Sequence, residues 1–183
     1  TITCPLTGTL KKLVTVNCTD KETAEVEVSV GQLHHIYVLD RSGSMGRDIN
    51  TLMDNVLKTL DVIHEDDLVT IIWFSSRNQF RTVVKGAKKS NGLNDIINTL
   101  RSVVGMTCFS DPIQEVSVVV DELYALCPNI SITLFTDGEA VVPWSDEEEY
   151  NKVYAIIEKM KDKIMAFNTI GYGNYYNQEF LKK

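Results

Sequence analysis

Short apolar runs alternate along residues 34–183 with stripes of helical period. That alternation predicts an α/β fold, a mainly parallel sheet with helices on both faces. Four short runs, 36–39, 68–74, 130–135 and 164–170, read as buried core strands, the first of them continuously apolar, as a strand buried on both faces requires. Length and composition agree. A chain of 183 residues with 44% hydrophobic and 23% charged residues has enough apolar surface for one buried core, so disorder is excluded as its main state.

Each element follows from a local pattern. In residues 1–33, Val14, Val16 and Cys18 alternate with polar residues. After the polar turn Asp20-Lys21-Glu22, Val26, Val28 and Val30 alternate with Glu25, Glu27 and Ser29. Period two on either side of a turn predicts a β-hairpin, a partial β-domain that pairs 13–18 with 25–30. It is too small for a core of its own. Strand 36–39 then runs into a Gly/Ser loop. Ile49, Leu52, Met53, Val56, Leu57, Leu60 and Ile63 recur at steps of three and four, which is an amphipathic helix. Strand 68–74 follows, and 80–84 alternates as an edge or antiparallel strand does. Leu93, Ile96, Ile97 and Leu100 form the stripe of a second helix over 93–103. Ile113, Val116, Val120, Leu123 and Leu126 form that of a third, closed by Pro128. Beyond strand 130–135, Ser145 is the expected N-cap of a helix striped by Tyr150, Val153, Ile156, Ile157 and Met160. Its acidic first turn, Asp146 to Glu149, reads as a solvated run favoured by the helix dipole. Strand 164–170 ends at Gly171-Tyr172-Gly173.

Charge and cysteine content narrow the function. The net charge is −7, from 18 basic and 25 acidic residues, which argues against a nucleic-acid partner and suits cation binding. No apolar run approaches the roughly 18 residues of a membrane span. Cys4, Cys18, Cys108 and Cys127 contain no CxxC pair, so neither a zinc site nor a dense disulfide framework is expected. A single Cys4–Cys18 disulfide stays open. The missing framework favours a cytoplasmic over an extracellular setting. His34, His35 and His64 lack metal-ligand spacing and are expected at the surface or at strand edges.

Ligands of an open α/β sheet bind beyond the carboxyl ends of its strands. Asp40-Arg41-Ser42-Gly43-Ser44-Met45 follows the first core strand, Gly105-Met106-Thr107 the second helix, and Thr136-Asp137-Gly138 the strand 130–135. Asp40, Ser42, Ser44, Thr107 and Asp137 thus supply two carboxylates and three hydroxyls. These hard oxygen donors suit Mg2+, Mn2+ or Ca2+ and disfavour zinc and copper. Ser42 and Ser44 stand two apart in an extended stretch, so their hydroxyls share a side, and Gly43 lets the backbone turn between them. Two carboxylates only neutralise a divalent ion. Neutral donors elsewhere leave it able to take an acidic ligand from outside.

The set Asp40-x-Ser42-x-Ser44, Thr107 and Asp137 resembles the metal-ion-dependent adhesion site (MIDAS) of von Willebrand factor type A (vWA) domains. The flanks Val38-Leu39-Asp40, Val69-Thr70-Ile71-Ile72-Trp73-Phe74-Ser75, Leu134-Phe135-Thr136-Asp137-Gly138 and Thr169-Ile170-Gly171-Tyr172-Gly173 agree with it. The resemblance spans about residue 33 to the end of the chain. It implies a Rossmann-like vWA domain over 34–183, mostly parallel with one antiparallel edge strand and lacking its last helix. It also implies that the serines and the threonine hold Mg2+ (or Mn2+ or Ca2+) directly or nearly so, and the aspartates directly or through water. The remaining position would then accept a Glu or Asp carboxylate of a protein partner. An Asp-x-Ser-Gly-Ser-Met loop is frequent in intracellular members. Arg41 fills the variable position, where it would trim the choice of acidic partner, and Met106 replaces a common glycine before the threonine. Phe109 and Trp144 belong to loops near this face, available for packing or partner contact. Cys108 is expected buried and inert.

The rival readings are a structural vWA domain without metal-dependent binding and a metal-dependent phosphohydrolase. A haloacid-dehalogenase-type phosphatase needs a second acid two residues after the first, and that position is Ser42. A serine hydrolase needs a Gly-x-Ser-x-Gly frame, which neither Ser42 nor Ser44 has. A non-catalytic binding module is therefore the expectation.

Overall fold

A computed structural model of the chain describes residues 31–173 and 177–182. The predicted hairpin, 13–18 with 25–30, and the pair Cys4 and Cys18 lie outside the described residues. Five strands form one sheet, β1 (His34–Asp40), β2 (Leu68–Phe74), β3 (Phe80–Lys88), β4 (Ile130–Thr136) and β5 (Ala166–Gly171), in the order β3-β2-β1-β4-β5. β1 runs parallel to β2 and β4, β4 runs parallel to β5, and β3 lies antiparallel against β2 at one edge. The sheet is therefore mixed and mostly parallel, as the apolar runs predict.

The helices cover both faces. On one, α1 (Ile49–Val62) and α2 (Asn91–Thr99) bury Leu52, Met53, Val56 and Ile97 against Tyr37, Leu39, Val69 and Ile71. On the other, α3 (Ser110–Leu123), α4 (Asp146–Met160) and the short α5 (Gln178–Lys182) bury Ile113, Val116, Val153 and Phe180 against Ile36, Val38, Ile72 and Leu134. Consecutive residues of β1 feed opposite cores, which is why its run is unbroken by polar residues until Asp40.

Several boundaries differ from the periodicity, among them that of α2, which ends at Thr99 instead of 103. α3 stops at Leu123, so Leu126 is 65% exposed instead of closing the stripe. β3 runs on to Lys88, with register shifts against β2 between Val69 and Ile72. β5 begins at Ala166 and is the sheet's other edge among the described residues, leaving Asn168 and Ile170 exposed where a core strand was expected.

What positions a site is the order of the strands. α1 carries the chain from β1 to β2 on one side, while β4 lies on the other side of β1. The loops leaving β1 and β4 diverge, and the crevice between them is the topological switch point of the sheet. Asp40 ends β1 and Asp137 follows β4, so the two aspartates flank that crevice.

Candidate metal centre

Asp40 is fully buried, with both carboxylate oxygens occupied. Oδ1 accepts from the Ser42 amide at 2.8 Å and Oδ2 from the Thr136 hydroxyl at 2.5 Å. Burial pushes its pKa up to about 6 against these hydrogen bonds, and the nearby Asp137 charge pushes the same way. Among the described residues no Lys or Arg forms an ion pair with Asp40 or Asp137.

Ser42 is buried and Ser44 exposed on the 3-10 turn Gly43–Arg47, and their hydroxyl oxygens lie 3.0 Å apart. The turn is laced to the Thr107 loop. The Gly43 amide donates to the Gly105 carbonyl at 3.0 Å, and the Val104 amide to the Arg41 carbonyl at 2.7 Å. Gly43 serves this close approach: a Cβ there would stand 3.2 Å from the Gly105 oxygen. The positive φ belongs to Gly105, at 70°, where a Cβ would sit 2.3 Å from Ser76 Oγ.

Thr107 is buried, its backbone held on both sides. The Val141 amide donates to its carbonyl at 2.8 Å, and the Cys108 amide donates to the Ser75 carbonyl at 2.8 Å. Asp137 is partly exposed. Its Oδ1 accepts from the Glu139 amide at 3.2 Å, and the preceding Thr136 hydroxyl, bonded to Asp40, also accepts from the Gly138 amide at 2.9 Å. Backbone hydrogen bonds and the Thr136 hydroxyl thus gather the three predicted loops at one end of the sheet.

The donor chemistry fits a hard divalent cation. Two carboxylates without a protein cation call for positive charge. Neighbouring oxygens of an octahedron with Mg–O of about 2.1 Å stand about 3.0 Å apart, the separation that Ser42 and Ser44 already hold. Among the described residues, no three His, Cys, Asp or Glu converge as a metal cluster. A site here would depend on hydroxyls.

Arg41 departs from its expected role. It is buried, donating from Nε and NH2 to the Ser102 carbonyl and hydroxyl at 2.8 and 2.7 Å, with its guanidinium 4.8 Å from the centre of the Trp73 ring. It braces the loop before Gly105 instead of facing a ligand. Phe109 is fully buried against Phe74 and Phe180 and is packing. Cys108 is buried as expected, its thiol pushed up to about 11 by burial.

Ser145 caps α4 through the Glu148 amide, as its position predicts, but Glu149 is not solvated. It is fully buried and accepts from the amides of Phe109 and Ser110 at 2.8 and 2.7 Å, the Ser110 hydroxyl at 3.1 Å and the Trp144 indole at 2.8 Å. A sequence signal existed: Glu149 stands four before Val153 and eleven before Met160, on the apolar stripe of α4.

No protein-family model matches the chain, and no curated protein matches it. Solved structures do. A von Willebrand factor type A protein from Catenulispora acidiphila is 14% identical with a TM-score of 0.66, over 85% of this chain and 36% of that one. The pilus adhesin SpaC from Lactobacillus rhamnosus GG, in an open conformation, is 15% identical with a TM-score of 0.62, over 84% and 26%. Proximal thread matrix protein 1 from the mussel byssus is 18% identical with a TM-score of 0.58, over 82% and 38%. At such identities the likeness shows the fold, a vWA-type α/β sheet, and the chain spans between 26% and 38% of these proteins.

Proposed function

We propose that the chain is a protein-interaction module that holds a divalent cation, Mg2+ first, and through it binds a Glu or Asp carboxylate of a protein partner. The observation that carries this reading is the Ser42–Ser44 hydroxyl pair, 3.0 Å apart beside two aspartates without a counter-cation at the sheet's switch point. Asp40, Ser42, Ser44, Thr107 and Asp137 would hold the ion, which supplies the positive charge that attracts an acidic ligand. The rim supports a protein partner. Val104, Met106 and Val141 are 44%, 59% and 51% exposed and belong to the segments next to Thr107 in sequence or in backbone pairing. Exposed apolar side chains beside a polar centre are the composition of a recognition surface. Similarity to a pilus adhesin and a thread matrix protein supports an interaction role over a catalytic one. So does the placement of the histidines. His34 and His35 open β1 and His64 follows α1, at the end of the sheet away from Asp40, so no imidazole base serves Ser42 or Ser44.

The test is Thr107→Ala, which removes one neutral donor and leaves both aspartates in place. Mn2+ affinity, read by electron paramagnetic resonance, should fall at least about tenfold, or about 1.4 kcal/mol. Capture of partners from a lysate in Mg2+ should fail both in chelator and with Thr107→Ala. Partners retained under both treatments would mean binding through another surface, as a purely structural vWA domain would show.

A further inference from the structure

Two consecutive residues near the amino end of α4, Glu149 and Tyr150, reach two different ligand loops. The Glu149 carboxylate takes hydrogen bonds from three successive residues immediately after Thr107: the Cys108 thiol at 3.5 Å, the Phe109 amide at 2.8 Å, and the Ser110 amide and hydroxyl at 2.7 and 3.1 Å. Glu149 is fully buried, and among the described residues no Lys or Arg pairs with it. Its charge is met by these donors, by the Trp144 indole and by the amino end of the 14-residue α3. The Tyr150 hydroxyl holds the segment after Asp137. It donates to the Gly138 carbonyl at 3.1 Å and accepts from the Ala140 amide at 3.3 Å and from Asn177 Nδ2 at 3.2 Å. The Tyr150 ring stacks on Phe180 at 4.2 Å, so the hydroxyl is aimed by packing.

From this geometry we infer that Glu149 and Tyr150 form a positioning clamp, which sets the spacing of Thr107 and Asp137 and thereby the cation affinity of the site. The clamp rests on the metal reading above. Neither residue is a ligand. Each fixes the backbone that carries one, as outer-shell partners of metal ligands do, and their loss typically costs 10–100-fold in affinity. The clamp makes the rigidity of α4 a determinant of the site, although α4 contributes no donor to it. It also links the site to Trp144. Arg77 and Lys152 stand 5.2 and 3.8 Å from the centre of the Trp144 ring, whose indole N–H lies on Glu149 Oε2.

The test uses the full chain and the metal ion alone. Tyr150→Phe keeps the ring and removes the hydroxyl. Glu149→Ala removes the carboxylate. Glu149→Gln keeps an oxygen for the two amides while turning an amide nitrogen toward the Trp144 donor, and it serves if Glu149→Ala does not fold. Leu60→Ala, on the far part of α1, is the control for lost stability alone. Two readouts are taken: Mn2+ affinity, and hydrogen exchange of segments 104–112 and 137–142 in chelator. Glu149→Ala should speed exchange in the first segment and Tyr150→Phe in the second. Mn2+ affinity should fall about tenfold or more for Glu149→Ala and about threefold or more for Tyr150→Phe. Leu60→Ala should lower the melting temperature with Mn2+ affinity unchanged. Unaltered exchange in the clamp variants overturns the clamp as a structural device. Faster exchange with unaltered Mn2+ affinity overturns its role in the site. Wild-type protein that takes up no Mn2+ sinks the metal reading itself, and the clamp's function with it.

Discussion

A carboxylate without a counter-cation leaves a signature at a single residue. Asp40 is fully buried, and burial raises its pKa from 3.8 in the unfolded chain to about 6 in the fold. Between those values the folded state binds more protons than the unfolded one, so its stability falls as pH rises. The contribution of Asp40 is fully present below 3.8 and is lost as pH rises through about 6. In chelator, the stability of the wild type relative to Asp40→Asn should therefore increase as pH is lowered from 7 to 5. Urea denaturation of both proteins across that window measures it, and a flat difference would show that Asp40 does not carry the strained charge. The identity of such residues is legible in sequence, because their types and spacing carry the chemistry. Their partners are not. Arg41 reads as a ligand-facing arginine, but Trp73, opposite Leu39 on β2, gives its guanidinium a ring to lie on. Only strand register brings the two together. The same holds for Thr136, whose hydroxyl ties Asp40 to the start of the Asp137 loop.

Elements were readable where their signals were internal. α1 buries Ile49, Leu52, Met53, Val56 and Leu60, the stripe its period predicts, and β2 occupies 68–74 because acidic and serine residues bound its apolar run. Signals fail at ends and edges. The first turn of α4 offers no apolar residue to announce it, and only Ser145, read as its N-cap, places its start at Asp146. β5 has an apolar composition, yet its exposure is decided by having one neighbouring strand among the described residues. α5 is the extreme case. Five residues are too few for a stable helix in isolation, so its order comes from docking. Phe180 supplies that docking, 6% exposed, stacked 4.2 Å from Tyr150 and tilted against Phe109 at 5.0 Å. Phe180→Ala should cost about 3 kcal/mol in urea denaturation, typical of truncating a buried aromatic. It should also make the amides of 177–182 exchange rapidly. A loss under about 1 kcal/mol would mean that the aromatic cluster closes without α5.

At the scale of the whole molecule, two sources of cation attraction must be separated. The chain carries a net charge of −7, so cations gather around it whether or not a site exists. That diffuse attraction is screened by salt and does not depend on any one hydroxyl. A site formed only by the fold behaves differently. An ion that binds the native state alone stabilises it by RT ln(1 + [L]/Kd), about 1.4 kcal/mol at tenfold excess over Kd. For a domain of this size that is a rise in Tm of about 3–6 °C. Mg2+ or Mn2+ at millimolar concentration, with ionic strength held constant by a monovalent salt, should raise the wild-type Tm by about that amount. Thr107→Ala keeps the net charge and both aspartates, so it should keep any diffuse effect and lose most of the specific one. Calorimetry of the two proteins with each ion and with chelator decides between them. An equal rise in both would assign the stabilisation to the acidic surface, and a wild-type Tm indifferent to both ions would leave Asp40 as a buried charge without a cation to relieve it.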